Sequence, residues 1–405
     1  MHHGGVLMRV VYVGGDPADP GPVTVGTTRV PLAAARADHR YLAAAIGYAD
    51  RVYDTLCALH ATEPVDVVEF ADPAAAYTTV RARRLLARFP RTRLVLPARP
   101  ATPAPVPTID DAVYAHAADY SRRHHARAGA PAGSSRPLVS IVIPVHDDSR
   151  FLSGAVESAL RCGYAPVQVI VVDDGSTEPQ TVADLADLRA AGQVTVLRRA
   201  HEGLAATRNA GIAAAHGRYV VPLDADDLLP DGFLGPAVAA MERHDRIGAL
   251  SGTVRNFGLF DSVTVPLGYV PDVSLVVNTF ARATAVFRTD AVRAVGGYDT
   301  TLPAYEDWDL YLRLHKAGRP VETAPVVGHL YRRHPDSMTF RLGEDARVAL
   351  AQRLLHTHAD LLDGDRAVPL MLTLLEFWKR RYEPSASTAW QAQDRTLVAG
   401  EANPA

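Results

Sequence analysis

The run Tyr219-Val220-Val221-Pro222-Leu223-Asp224-Ala225-Asp226-Asp227-Leu228-Leu229-Pro230 constrains this chain more than any other stretch. Its first part is apolar, so Tyr219 to Leu223 reads as a buried strand. Three carboxylates then arrive within four residues, with apolar side chains on both sides. Carboxylates held together raise one another's pKa. A divalent cation removes that penalty, and hard cations such as Mg²⁺ or Mn²⁺ prefer oxygen ligands. Mg²⁺ takes one or two carboxylates and fills its shell with substrate phosphates. The run therefore points to a metal–diphosphate site at the carboxyl edge of a sheet. Taken alone, a solvated acidic turn is the simpler reading, and the rest of the chain has to decide between them.

Composition narrows the classes. The chain has 405 residues, enough for two domains and a small appendage. Lys and Arg total 42 against 45 for Asp and Glu, so no basic field favours general nucleic-acid binding. Cys57 and Cys162 are the two cysteines, which speaks against a disulfide framework and for a reducing compartment. No apolar stretch approaches the ~20 residues of a membrane span, and Met1 to Gly5 lacks a signal-peptide pattern. The expected location is the cytoplasm, with room for a peripheral membrane contact.

Residues 8–130 alternate strand and helix patterns: strands at Met8–Val13, Val65–Phe70 and Thr92–Leu96, helices at Ala33–His60, Ala74–Phe89 and Ile109–Ala128. That alternation predicts a Rossmann-like parallel sheet covered on both faces, after a Pro- and Gly-rich loop from Asp16 to Pro31. Residues 131–137 have linker composition. In residues 138–342, strands at Leu138–Pro144, Val167–Val172, Val194–Leu197 and Tyr219–Leu223 alternate with helices. Asp148 or Ser149, and a Thr177–Gln180 capping box, are candidate helix starts. Ligands of open α/β sheets sit outside the carboxyl ends of the strands. Tips at 145–148, 173–176 and 224–227 are expected to line one crevice. Helical spacing returns in residues 343–383, expected to pack across the preceding domain or to form a homodimer contact, while residues 384–405 read as a loosely ordered tail.

Two resemblances follow from motifs. Val67-Val68-Glu69-Phe70-Ala71-Asp72 and Asp110-Asp111-Ala112-Val113-Tyr114 resemble the N-terminal half of family 4 glycosyltransferases, without the second half that completes such a site. The expectation for residues 8–130 is a degenerate, non-catalytic domain. The other resemblance is more specific. Pro144-Val145-His146-Asp147-Asp148, Asp173-Asp174-Gly175-Ser176, the run from Gly203 to Gly211, Leu223 to Asp227, Gly296-Gly297-Tyr298-Asp299, Glu306 to Leu314, and Tyr331-Arg332-Arg333-His334-Pro335 stand in the order found in family 2 glycosyltransferases. The resemblance implies an α/β, A-type glycosyltransferase fold. It also implies inverting transfer from a nucleotide-diphosphate sugar, with a UDP-sugar favoured, to a hydroxyl acceptor.

It implies roles as well. Pro144, Val145, His146, Asp148 and Asp174 would hold the nucleoside, Asp174 by accepting from a uracil-like ring N–H. Arg208 would neutralise the diphosphate. Asp226 would bind Mn²⁺ or Mg²⁺, with Asp224 on the ribose or the metal and His334 completing the shell; Asp227 would cap the turn. Asp307 would be the general base, and Glu306 would orient it or the acceptor. Val326 to Tyr331 reads as a strand carrying His329, with His334 in the loop after it, Trp308 as core, and Asp261 to Asn278 as the acceptor side. The alternative is a catalytically idle nucleotide-sugar-binding scaffold. A nucleotidyltransferase would instead carry a basic Gly-rich loop after the first strand of the second domain.

Overall fold

The structure is a computed structural model that describes residues 9–14, 22–25, 28–33, 44–97, 109–126, 136–271, 273–337 and 342–362. The N-terminal unit runs β1 (Val10–Val13), β2 (Val23–Val25), β3 (Thr28–Val30), α1 (Ala44–Thr62), β4 (Val67–Phe70), α2 (Tyr77–Leu86), β5 (Arg93–Val95) and α3 (Ile109–His124). Next come β6 (Val139–Val145), α4 (Leu152–Leu160), β7 (Val167–Asp173), α5 (Pro179–Ala191), β8 (Thr195–Arg198), α6 (Leu204–Ala214), β9 (Tyr219–Pro222) and α7 (Leu234–Arg243). The remainder is β10 (Ala249–Gly258), β11 (Ser262–Thr264), β12 (Val286–Arg288), α8 (Thr289–Ala294), α9 (Glu306–Lys316), β13 (Val321–Arg333) and α10 (Glu344–Thr357).

The first sheet has the order β3-β2-β1-β4-β5. Its β1, β4 and β5 are parallel, but β2 and β3 add an antiparallel edge inside the predicted Pro/Gly loop. The expected cover on both faces is not found among the described residues: Val11 and Val13 are buried, while Val10 and Tyr12 are 37% and 45% exposed. Strict alternation along β1 is the pattern of a sheet with one packed face.

The second sheet has the order β11-β10-β12-β9-β6-β7-β8, with β13 paired to β10. Strands β9, β6, β7 and β8 are mutually parallel, so their carboxyl ends share one edge. Strand β6 is buried throughout, as a continuous apolar run flanked by parallel neighbours should be. Helix α6 lies close against it: a Cβ on Gly211 would meet Val142 Cγ1 at 2.2 Å. Two predicted caps differ. Glu178, not Thr177, caps α5, accepting from the backbone of Gln180 and Thr181, with Pro179 at the first helical position. Helix α4 begins at Leu152 without a side-chain cap, because Asp148 is drawn to Arg150.

The segment expected to build the acceptor side crosses to the other unit. Val265, Leu267, Val270 and Val273 are buried in one cluster with Val11, Phe70, Tyr77 and Val113. Burying each such side chain is worth about 1.5–3 kcal/mol. A polar seam runs beside it: Arg84 Nη1 donates to Glu322 Oε1 at 2.6 Å, and Tyr120 donates to Glu322 Oε2 at 3.2 Å. Burial works against the Glu322 charge, but Arg84 and Arg81 hold its carboxyl below the usual range. Glu322→Gln should therefore lower the unfolding free energy by about 1–3 kcal/mol, read as an earlier denaturation midpoint in urea. An unchanged midpoint would mean the seam contributes nothing.

Candidate active site

The hinge after β9 and the mouth of α9 meet around one buried cation, and the turn after β7 fixes the start of the helix that carries it. Asp174 follows β7 and is 3% exposed. Its two oxygens accept from Glu202 N at 3.1 Å and Gly203 N at 2.8 Å, which fixes the entry to α6. One turn into α6, Arg208 is 1% exposed. Its guanidinium donates to Asp224, in the acidic hinge after β9, and to Glu306, at the mouth of α9. Burial would lower the Arg208 pKa, but Asp224 and Glu306 together hold it far above its ordinary value. Arg208 is thus the strut between hinge and helix. The expectation that it faces a diphosphate is corrected: both ends of its guanidinium are committed to carboxylates.

Two motifs hold this strut. Asn209 donates to Tyr298 O at 2.8 Å and accepts from Tyr298 N at 2.7 Å. Gly297 has φ +73°, and a Cβ there would meet Asn209 Oδ1 at 2.4 Å. The Gly296–Asp299 motif is therefore a clasp on α6.

The hinge carboxylates separate into three roles. Asp224 pairs with Arg208. Asp226 is half-buried, with Oδ2 2.9 Å from His334 Nε2. Burial, and then Asp224, raise its pKa. Asp227 is fully buried, where the sequence suggested a turn cap. It accepts from Arg332 N at 2.8 Å and lies 2.7 Å from His329 Nε2, so it fixes the strand that carries His334. Burial lifts Asp227 to about 6, with His329 opposing. His329 lies on β13, within the expected strand, and its partner is Asp227.

Asp307 lies in the first turn of α9 beside Glu306. Its Oδ1 accepts from Trp308 N at 2.7 Å. Burial and then Glu306 push it up to about 7, against the pull of Arg208 and Arg282. Tyr305, at the helix mouth, has a left-handed φ of 65°. Trp308 is core, as expected, and donates to Ser274 O at 2.7 Å. Asp309 was not singled out by the sequence. It is buried, bonds Arg313, and lies 2.8 Å from buried His358, which pins the end of α10 to this helix. Leu350 and Leu354 of α10 join the same core, so this part of the C-terminal extension packs on the second unit.

The first tip is only partly as expected. Pro144 and Val145 lie inside β6, buried and paired with Val172 and Asp173. Their side chains belong to the core, so the loop starts at His146. His146 is exposed, with Nδ1 2.9 Å from Asp174 O, and its ring stacks on His201 at 4.0 Å. Asp147, at φ 48°, accepts from the backbone of Thr177 and Glu178. Asp148 grips Arg150 with both oxygens, and Arg150 reaches Asp336, beside the His334 loop.

Residues fit for a divalent cation are present. The Asp226 oxygen and His334 nitrogen have the roughly 3 Å separation of adjacent ligands around an octahedral ion bound at ~2.1 Å. Asp224 stands beside them but is bound to Arg208. A second cluster, His146, Asp174 and His201, brings its ligand atoms within 4.8 Å. Asp174 already accepts from two backbone amides, so it fits a metal less well.

A shared strand edge, a buried strut and a carboxylate at a helix mouth form one site at the carboxyl edge of the second sheet. Residues 140–289 match the family model described as Glycosyl transferase family 2. Among curated proteins, the chain is similar to the pre-mycofactocin glycosyltransferase of Mycobacterium tuberculosis, 34% identical over 218 residues that cover 50% of this chain and 44% of that protein. It is also similar to the chondroitin synthase of Pasteurella multocida, 27% identical over 188 residues, 45% of this chain and 19% of that protein. The chain thus spans less than half the length of these curated relatives. Among solved structures, S. aureus TarS 1-349 in complex with UDP-GlcNAc aligns at 16% identity and TM-score 0.46, over 65% of this chain and 80% of that one.

Proposed function

We propose that the protein is an inverting, Mn²⁺- or Mg²⁺-dependent glycosyltransferase that moves a sugar from a nucleotide-diphosphate donor, with a UDP-sugar favoured, to a hydroxyl acceptor. The observation that carries this reading is the wiring of Asp307 to the hinge. A carboxyl lifted to about 7 shares a helix mouth with Glu306, whose Arg208 partner also holds Asp224, two residues before Asp226.

A sugar hydroxyl is a poor nucleophile. Asp307, deprotonated, accepts the acceptor's proton as its oxygen attacks the anomeric carbon and the nucleotide diphosphate leaves. One attack on the face opposite the leaving group inverts that carbon. Glu306, held by Arg208, keeps the helix mouth in register with the hinge. Asp226 and His334 would hold the cation, which supplies Lewis-acid stabilisation of the leaving diphosphate when bound. Asp174 would accept from a ring N–H of the base where His201, whose Nδ1 lies 2.9 Å from its Oδ2, gives way. His146 lies against Asp174, and Asp148 would join them at the nucleoside. No described helix is long and apolar enough to cross a membrane, and action in the cytoplasm or peripherally at a membrane belongs to the same proposal.

The test uses UDP and Mn²⁺. UDP should raise the thermal midpoint only with Mn²⁺ present. Asp226→Ala should lose that rise, and its slow nucleotide release from a UDP-sugar should fall at least a hundredfold, on the order of several kcal/mol. Release unchanged in Asp226→Ala would refute the site.

A further inference from the structure

Among the described residues, the arginines around the site are committed, save one. Arg208 serves two carboxylates, Arg150 serves Asp148 and Asp336, and Arg332 donates to Asp226 O at 2.8 Å. Arg282, half-buried just before β12, makes no hydrogen bond or ion pair through its guanidinium among the described residues. Its backbone is fixed, because Tyr311 of α9 donates to Arg282 O at 2.9 Å. Its guanidinium carbon sits 4.5 Å from the Tyr331 ring centre, and Arg333 approaches the same ring at 5.3 Å. A guanidinium held against a ring face keeps its N–H donors available to an oxyanion. Tyr311, which holds Arg282 O, stands one turn after Asp307 on α9, whereas Arg332 donates to Asp226 O on the hinge side.

An acceptor hydroxyl must come to Asp307 for its proton to be taken, so a cation on that side meets the acceptor and not the leaving diphosphate. We infer that Arg282 recognises an acidic group, a carboxylate or a phosphate, on the acceptor. This rests on Asp307 as the base. A neutral hydroxyl offers that guanidinium a hydrogen bond alone, whereas a carboxylate or phosphate also meets its charge, so the acceptor is an acid-bearing hydroxyl compound.

The experiment titrates the full chain, saturated with UDP and Mn²⁺, with glucuronate and with glycerol 3-phosphate. Glucose and glycerol are their neutral counterparts. At least one acidic probe should bind ten times more tightly than its neutral partner, and the tighter of the two names the acid. Arg282→Gln should weaken that binding at least tenfold, and Arg282→Lys should restore part of it, with UDP affinity in each variant reporting an intact fold. Equal binding of acidic and neutral probes overturns the assignment. So does acid binding that persists in Arg282→Gln, since it then reports on Mn²⁺. Failure of UDP to bind at all strikes the donor reading instead, and the same titrations without UDP still decide on Arg282.

Discussion

Asp307→Asn is expected to lose turnover and gain stability together. Without a base, kcat should fall about 10²- to 10⁴-fold. The wild-type rate should rise with pH and level off above about 7, where burial and Glu306 have placed the Asp307 carboxyl. The stability change has a definite sign. A carboxyl raised from its unfolded value of about 3.9 binds its proton better in the folded protein. Its stabilising contribution is present below pH ~4 and is lost as pH rises to about 7. Above that, the folded protein carries a desolvated charge that asparagine lacks. Three pH units correspond to at most ~4 kcal/mol, and partial exposure reduces this to on the order of 2 kcal/mol. The variant should therefore melt later than wild type at pH 8 and together with it at pH 4. A variant that melts earlier at pH 8 would show that the Asp307 charge is not under strain.

Arg208→Ala should be the most damaging single change. It leaves Asp224 and Glu306 facing a buried gap with no cation. Removing one partner of a buried ion pair costs about 3–5 kcal/mol. It also frees the hinge from the helix mouth, so turnover should fall even where the protein still folds. Its urea midpoint should fall accordingly, and Arg208→Lys should recover part of the loss; no recovery would mean the cavity, not the charge, is what hurts. Retained activity in a folded Arg208→Ala would dissociate hinge from helix and undo the site as described.

Much of this was legible along the chain. Strands β6, β7, β8 and β9 fall within a residue or two of their expected ranges, because an apolar run bounded by polar tips is a local pattern. The stripe Trp308, Leu310, Tyr311, Leu312 and Leu314 is buried as its composition required. The antiparallel β2–β3 edge was not legible, since short strands in a Pro- and Gly-rich segment carry little periodicity. The crossing of Val265 to Val273 into the N-terminal core was equally hidden, because an apolar residue does not state which neighbour will bury it.

By itself, the sequence determined which strands end in carboxylates, in what order, and which helix opens with Glu306 and Asp307. These are properties of neighbouring residues, set by hydrophobic period and helix-end chemistry. Only the tertiary structure decided what each charge does. Arg208 meets Glu306 across 98 positions, and Asp227 meets His329 across 102. Burying a charge far from water is tolerable only beside a partner, and that partner is chosen by how the sheet brings distant segments together.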